Sequence, residues 1–532
     1  MEEVKVEAKR HLLRGTVTLE EAFTREDDMR AALQYPKKLG GFYVQMIERR
    51  DEIQRLVASH CGLKSAELGR ITVREDRAAD GTPVWRHGSF NVCVRVSFVD
   101  EQTRRDMAFR VPLPFKIGEY FEPGNAEEKV RSEAATYIWI KENCPDVPIP
   151  TLRGFGVPGG LSFFHPHSLP LWPRLRASVW RFFCRLRGIS GFCEYIPKRR
   201  TTFTDHGYLI TDWIEGDDVR MLSDTFFEPH TPEQTRNLYR DMSRVMLSLS
   251  KIPQPRIGSW TLNDQGQISL SSRPGLLHLY EMDNLAIPTN IERSTTYSNA
   301  DSFYLDLLSG HDNRLLYQPN AIFDEEDAQG QATDLLLMRA FLHQFTDRAQ
   351  RHGPFVMQLT DLHASNIFVD EQWNIKFIID LEWACSLPVS FLLPPAWLTG
   401  EFPSDLHGPE FEAFETAYTE FVHIFREEEK ASTRSNYNGL VYSRASVMEG
   451  ALKTGQYSYH RALRTPSGLF NIVRFQMKPF FDKVPSDQLR SSVSTFWRPR
   501  MNHWVAEKLE DLKNYRQQVS EIFHSNLSFI QT

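Results

Sequence analysis

Two carboxylates and a carboxamide in this chain have the types and spacing that transfer of a phosphoryl group requires. Asn366 follows Asp361 by five residues, and Asp380 comes at hairpin distance beyond it. Such a transfer needs a carboxylate that orients or deprotonates the attacking hydroxyl, and metal ions that neutralise charge on the phosphate oxygens. Asp361 fits the first role, whereas Asn366 and Asp380 offer the hard oxygen ligands that Mg²⁺ prefers.

Apolar strands must position these side chains. Strands are predicted over 355–357, 367–369 and 375–379, with a polar turn over 370–374 between the last two. This hairpin would place Asn366 at the start of one strand and Asp380 at the end of its neighbour. The alternative is that Asp361 and Asn366 only cap a loop while Asp380 ends a strand. We favour the functional interpretation, because carboxylates between apolar strands are costly to bury without a cation.

These residues carry a family resemblance. Asp361-Leu362-His363-x-x-Asn366 and Ile379-Asp380-x-Glu382 resemble the catalytic loop and the metal-binding motif of aminoglycoside phosphotransferase-like kinases, which share the bilobal protein-kinase fold. The likeness covers roughly residues 70–400, is strongest over 355–400, and is closest to the branch of that family found in fungi. It implies that Asp361 is the catalytic base, that Asn366 and Asp380 bind Mg²⁺, and that Glu382 supports the metal.

The resemblance also implies a nucleotide-binding lobe upstream. A strand, a small-residue turn and a second strand over 84–98 resemble the family's reduced phosphate-covering loop. Gly88 and Ser89 would let backbone N–H groups approach the nucleotide, with Asn91 directly after them. An ordinary hairpin turn is the alternative, and on its own this segment favours that alternative.

A cation and its carboxylate partner are expected next. Where the family usually has a strand lysine for the nucleotide phosphates, this chain has Arg110, with Lys116 as a distant second candidate. Arginine binds phosphate bidentately but is not equivalent to an ammonium group at a tight site. On the following predicted helix, Glu133 lies beside the apolar stripe and resembles the glutamate that holds this cation. A solvated surface glutamate is the alternative.

The apolar strand over 208–212 ends in a polar turn, which suits the hinge between two lobes. By resemblance, the backbone groups of Asp212, Trp213 and Ile214 would bind the adenine edge.

The fold class predicted is therefore α+β, a bilobal protein-kinase-like fold with a small antiparallel-sheet N-lobe and a large, mainly helical C-lobe. Helices are predicted over 231–249, over 333–349 and beyond 409. The predicted divisions are a helical N-terminal extension over 1–65, an N-lobe over 66–207 with an insertion near 160–205, a C-lobe over 208–404, and a helical extension of the C-lobe over 405–532.

The insertion contains a segment that alternates apolar and basic residues over 169–187. We expect an amphipathic helix packed on the small lobe. A lid, a partner-binding helix and a membrane-surface helix are the alternatives. Its arginines exclude a transmembrane span.

Composition narrows the class of protein. The formal net charge of -7 and the pI near 6.2 argue against a dedicated nucleic-acid binder. The N-terminus over 1–7 is charged and has no apolar export signal, and the six cysteines have no metal-binding spacing. We therefore expect a cytoplasmic chain with reduced thiols.

The leading hypothesis is an ATP- and Mg²⁺-dependent kinase that phosphorylates a hydroxyl of a small-molecule acceptor. A pseudokinase that only binds nucleotide or acts as a scaffold is the alternative, supported by Arg110 and by Leu359-Thr360, which replace the His-Gly that precedes the catalytic aspartate in many relatives. A protein kinase is less well supported, because the chain has neither an extended Gly-x-Gly-x-x-Gly loop nor an Ala-Pro-Glu segment.

Overall fold

A computed structural model of the 532-residue chain describes residues 8–100, 103–401, 405–431, 436–437, 440–466, 468–481 and 487–525. Antiparallel sheets and many helices make the chain α+β, as its sequence predicts. The charged N-terminus over 1–7, on which the expectation about export rests, lies outside the described residues.

The strands pair in antiparallel fashion. In chain order they are β1 (Arg10–His11), β2 (Thr16–Val17), β3 (Ile71–Val73), β4 (Arg86–His87), β5 (Asn91–Val99), β6 (Arg104–Pro112), β7 (Leu152–Val157), β8 (Leu161–Phe164), β9 (Ile196–Arg199), β10 (Tyr208–Asp212), β11 (Arg220–Met221), β12 (Ser259–Leu262), β13 (Ile268–Ser272), β14 (Phe355–Leu359), β15 (Ile367–Val369), β16 (Ile375–Ile378), β17 (Ala384–Pro388), β18 (Asn436–Tyr437) and β19 (Leu440–Val441). The largest sheet has eight strands in the order β3-β5-β6-β10-β7-β8-β9, with β4 also paired to β5. Smaller sheets include β11-β15-β16 and β14-β17.

Helices fill most of the remaining chain. They are α1 (Leu19–Thr24), α2 (Met29–Ala32), α3 (Tyr35–Glu48), α4 (Arg50–His60), α5 (Asn125–Asn143), α6 (Leu171–Leu186), α7 (Pro232–Leu249), α8 (Leu277–Asn284), α9 (Ala300–Tyr317), α10 (Glu325–Ala340), α11 (Leu342–Phe345), α12 (Gly408–Ala431), α13 (Arg444–Lys453), α14 (Gln456–Arg464), α15 (Leu469–Ile472), α16 (Asp487–Ser494) and α17 (Met501–His524).

Helices pack against the large sheet through buried apolar side chains. Val92, Val94 and Val96 of β5 are buried in a cluster that includes residues of α3 and α4. In another cluster, Val130 and Ala134 of α5 pack with residues of β7 and β10. Helix α5 is therefore held firmly, which fixes the positions of its buried polar side chains.

Helix α10 differs from its predicted bounds. The pattern indicated a helix over 333–349, but α10 spans Glu325–Ala340 and the short α11 follows. The N-cap is Asp324, whose side chain accepts a hydrogen bond from the Asp327 backbone, and the first turn is acidic. The start was missed because apolar periodicity is weak in that first turn.

Helix α6 forms where the sequence predicts an amphipathic helix and contacts the protein at Phe192 and Tyr195, but most of its apolar side chains are not on the contacting side. Cys184 is its buried residue, and its large apolar side chains are exposed. These apolar side chains face outward, since the other side of the helix makes the contacts with the protein.

Within the described residues, no helix is both long and apolar enough to cross a membrane.

Candidate active site

Two loops meet at the centre of the candidate site. One follows β14 and carries Asp361 and Asn366; the other follows β16 and carries Asp380. The Ile379 N–H donates to the Asn366 carbonyl at 2.9 Å. The Thr360 N–H donates to the Trp383 carbonyl at 2.8 Å, beside the pairing of β14 with β17. Backbone hydrogen bonds thus hold the polar residues of both loops together.

Asn366 supports the loop that contains Asp361. Its Nδ2 donates to the Asp361 carbonyl at 3.0 Å, while its Oδ1 has no hydrogen-bond donor among the described residues. The indole of Trp397 donates to the Leu362 carbonyl at 2.6 Å and fixes the same loop from the other side. The Asn366 amide oxygen is therefore available to a ligand.

Asp380 has an unusual backbone conformation. Its φ and ψ are 63° and 66°, in the left-handed region. For a residue other than glycine this costs about 1 kcal/mol or more, and such residues concentrate at functional sites. The conformation turns the chain sharply at the end of β16.

Arg110 links the large sheet to Asp380. Its guanidinium contacts the Glu133 carboxylate of α5 and donates from Nη2 to Asp380 Oδ1 at 2.5 Å. Although burial disfavours its charge, the Glu133 and Asp380 carboxylates raise the pKa of Arg110. The structure thus joins the residues that the sequence assigned to the phosphate-binding cation, its helix partner and the metal loop.

Lys129 is a second buried cation in this network, and the sequence reasoning missed it. It lies one turn before Glu133 on α5 and is 1% exposed. Its Nζ contacts the Glu382 carboxylate and donates to Asn91 Oδ1 at 2.8 Å. A lysine in the first half of an amphipathic helix is typical of a solvated face, so only the partners, which are distant in sequence, could have identified it.

Glu382 and Asn91 belong to the same buried network as Lys129. The Glu382 side chain is 1% exposed, and its Oε2 accepts from Asn91 Nδ2 at 2.6 Å and contacts Lys129. Burial and the nearby Asp380 and Glu133 carboxylates raise the pKa of Glu382, while Lys129 and Arg110 oppose the rise. Both side chains contact this buried network, and their assignment to the metal and to the nucleotide stays a prediction.

Among the titratable groups of the site, Asp361 has the shift in pKa that matters most for proton transfer. Burial, followed by the Asp380 and Glu281 carboxylates, raises its pKa to about 7, and Arg464 opposes this rise. His363 lies beside it, with Nε2 3.9 Å from Asp361 Oδ2. A carboxylate with a pKa near neutrality can accept a proton at physiological pH.

The donor set fits Mg²⁺ bound together with a phosphate-bearing nucleotide. Asp380 Oδ2, Asn366 Oδ1 and the Asp361 carboxylate accept no hydrogen bond from described residues, so their oxygens are available. The described residues contain no group of three or more His, Cys, Asp or Glu side chains placed to hold a metal by themselves. Mg²⁺ commonly takes one or two carboxylates and completes its shell with water and phosphate oxygens, so a smaller set is sufficient.

A cavity of about 320 Å³ lies beside the turn that contains Gly88 and Ser89. Lys116 also lines it, with Nζ 4.3 Å from the centre of the Tyr35 ring. The structure therefore separates the two cations considered from the sequence. Arg110 faces Asp380, whereas Lys116 shares a cavity with the glycine-serine turn.

The predicted hinge follows β10. Asp212 pairs with Arg153 at 2.8 Å, and the Trp213 N–H donates to the Asp106 carbonyl at 3.0 Å. The Ile214 N–H and carbonyl have no hydrogen bond to any described residue, so of the three predicted positions Ile214 has backbone groups free for a ligand.

A second cavity, of about 490 Å³, opens at Asp361. Its walls are mainly apolar and include Phe226, Phe227, Met242, Met246 and Trp397. Arg461 and Arg464 also line it, as do Asp361 and Glu401. Arg14 lines both cavities, so they adjoin each other near the candidate base.

Comparison with known proteins gives little beyond this geometry. No protein-family model matches the chain, and no curated protein matches it. Among solved structures, it is similar to a macrolide 2'-phosphotransferase type I, with a TM-score of 0.30 and 11% identity over 75% of this chain and 93% of the other.

The chain is also similar to spectinomycin phosphotransferase APH(9)-Ia in complex with ADP and spectinomycin. That TM-score is 0.29, with 10% identity over 81% of this chain and 92% of the other. Because both TM-scores are so low, neither likeness supports a statement about what this chain binds or does.

Proposed function

We propose that this chain is a kinase-like phosphotransferase that uses ATP and Mg²⁺ to phosphorylate a hydroxyl of a small molecule. The observation that supports this most is the meeting of Asp361, Asn366 and Asp380 on two hydrogen-bonded loops, between one cavity beside a glycine-serine turn and another with apolar walls. A bilobal kinase-like arrangement, with the hinge after β10, is part of the proposal.

Asp361 is the proposed general base. It lines the larger cavity, and its raised pKa lets it accept the proton of an acceptor hydroxyl near neutral pH. Asn366 and Trp397 fix the loop that carries it, so the carboxylate needs little reorganisation before the reaction.

Asp380 and Asn366 would hold Mg²⁺ through their available oxygens. The bound metal would supply positive charge to the nucleotide's phosphate oxygens. Arg110, oriented by Glu133, stands beside Asp380 and can exchange part of this contact for a phosphate oxygen. The buried Lys129–Glu382 pair connects α5 to the loop after β16 and so helps to position both elements.

The larger cavity indicates an acceptor that has an apolar body and an acidic group. Arg461 Nε is buried and has no hydrogen-bond acceptor among the described residues, none of whose carboxylates forms an ion pair with Arg461 or Arg464. Burial and the neighbouring Arg461 lower the pKa of Arg464 to about 10. An anionic group on the acceptor would offset the repulsion between these two half-buried cations.

One observation favours the alternative of a pseudokinase. Arg110 donates to Asp380 at 2.5 Å, so a protein cation occupies one oxygen of a proposed metal ligand. If this ion pair is permanent, the chain would bind nucleotide without Mg²⁺ and would transfer no phosphate.

Nucleotide binding is tested by thermal unfolding of the full chain. We expect ATP to raise the unfolding temperature only when Mg²⁺ is present, and Asp380→Asn to abolish the rise. Asp218→Asn, which removes an exposed carboxylate in the loop after the proposed hinge, is the matched control and should respond like the wild type. Stabilisation by ATP alone, equal in wild type and Asp380→Asn, would support the pseudokinase instead.

The acceptor class is tested by transfer of labelled phosphate onto pairs of hydroxy compounds that differ only in a carboxylate or its amide. We expect the carboxylates to be preferred, and Arg464→Gln to remove the preference. Equal rates for both members of every pair would refute the proposed class and leave the kinase assignment standing.

A further inference from the structure

Helix α6 presents a continuous apolar stripe to solvent. At about 100° per residue, Leu171, Phe182, Leu175 and Leu186 occupy the first half of the stripe, and Val179, Trp172 and Phe183 the second. Each of these side chains is between 54% and 76% exposed. A contiguous apolar surface of this kind marks an interaction site.

The opposite side of α6 holds it to the protein. Cys184 is buried, Trp180 packs edge-on against Phe192 with ring centres 5.1 Å apart, and Arg181 Nη2 donates to the Tyr195 carbonyl at 2.7 Å. The outward direction of the stripe is therefore fixed by contacts and does not depend on a free hinge.

Arginines border the stripe on both sides. Arg176 and Arg187 follow one edge, and Arg174 and Arg185 the other. None of the four forms an ion pair with a described carboxylate, and α6 contains no acidic residue. The concentration of positive charge is unusual in a chain whose formal net charge is -7.

We propose that α6 lies in the surface of an anionic lipid membrane, with its apolar stripe among the acyl chains and its arginines at the phosphate groups. Two flanks of cations around one apolar stripe match the layers of a bilayer surface, because arginine stems extend along apolar surface while their heads reach phosphate. Trp172 at the start of the helix suits the headgroup level.

The charge pattern disfavours other occupants. A second copy of α6 would bring eight edge arginines together without a carboxylate from either helix. With 16 residues, α6 is about 24 Å long, shorter than the roughly 30 Å hydrocarbon layer, so it lies in the surface and does not cross it.

Sedimentation with vesicles tests the proposal on the full chain. We expect binding to vesicles of phosphatidylcholine mixed with phosphatidylserine, weak binding to phosphatidylcholine alone, and loss of binding as salt rises. Leu175→Glu with Phe182→Glu should abolish binding, and each of Arg174→Gln and Arg185→Gln should lower the partition coefficient about fivefold.

Leu305→Glu is the matched control, since Leu305 is 44% exposed on α9 and carries no part of the stripe. It should bind vesicles like the wild type. Equal binding by the stripe variant, or failure of the wild type to bind anionic vesicles, would overturn the proposal. Self-association of the wild type that the stripe variant lacks, without vesicle binding, would instead make this face an interface between copies. Unchanged unfolding temperatures would show that the variants fold.

Discussion

The raised pKa of Asp361 predicts a defined loss of activity in mild acid. A base with a pKa of about 7 is about one tenth ionised at pH 6, so kcat/KM for the acceptor should fall about tenfold from its alkaline plateau at that pH. An ordinary aspartate, whose pKa is near 4, would stay ionised and would give a flat profile over the same range.

The structure also predicts which neighbour moves this profile. Arg464 lowers the pKa of Asp361, so Arg464→Gln should shift the acidic limb to higher pH. Initial rates of phosphate transfer, measured at fixed ionic strength from pH 5.5 to 9, give the midpoint for each variant. A midpoint near pH 4, or an Arg464→Gln shift toward lower pH, would refute the assignment of the titrating group.

Three further predictions concern the buried network, the pH dependence of stability and the hinge. Lys129→Met should lower the free energy of unfolding in urea by about 3–5 kcal/mol, because it removes the ammonium group that the buried Glu382 carboxylate contacts. Lys129→Met with Glu382→Gln should recover most of the loss, and additive losses would contradict the pairing. Asp361→Asn should raise the unfolding temperature at pH 8 but not at pH 3. A carboxyl group whose pKa is raised by folding destabilises the folded state increasingly as the pH rises from about 4 through 7. Equal effects of the substitution at both pH values would contradict the raised pKa. Ile214→Pro removes a free N–H and should weaken ATP binding without changing unfolding of the free protein; unchanged ATP binding would exclude this hinge contact.

The loops of the candidate site could be foreseen from local sequence. The polar residues at 361, 366 and 380 stand between apolar runs, and the short turn over 370–374 brings β15 and β16 together. The strand β17 was not foreseen, although it pairs with β14 and fixes the loop that carries Asp361. Its sequence, Ala384–Pro388, is short and ends in proline, so neither alternation nor length identifies it.

Long-range partners explain what the sequence did not reveal. Lys129 meets Asn91 and Glu382, which are distant in the chain, so its burial has no local pattern. The apolar residues of α6 do have a local pattern, but that pattern does not show which way they face. Periodicity predicted the helix, but periodicity cannot show whether the apolar side faces the protein or the solvent. The predicted domain divisions and two-lobe arrangement stay predictions.

The role of Asp361 as the base is decided by measuring transfer of the γ-phosphate of ATP to an acceptor alcohol. The wild type, Asp361→Asn and the control Asp218→Asn are compared in parallel. We expect transfer by the wild type and the control, and a rate lower by about two to four orders of magnitude in Asp361→Asn with ATP binding retained. Transfer at the wild-type rate by Asp361→Asn would contradict this role.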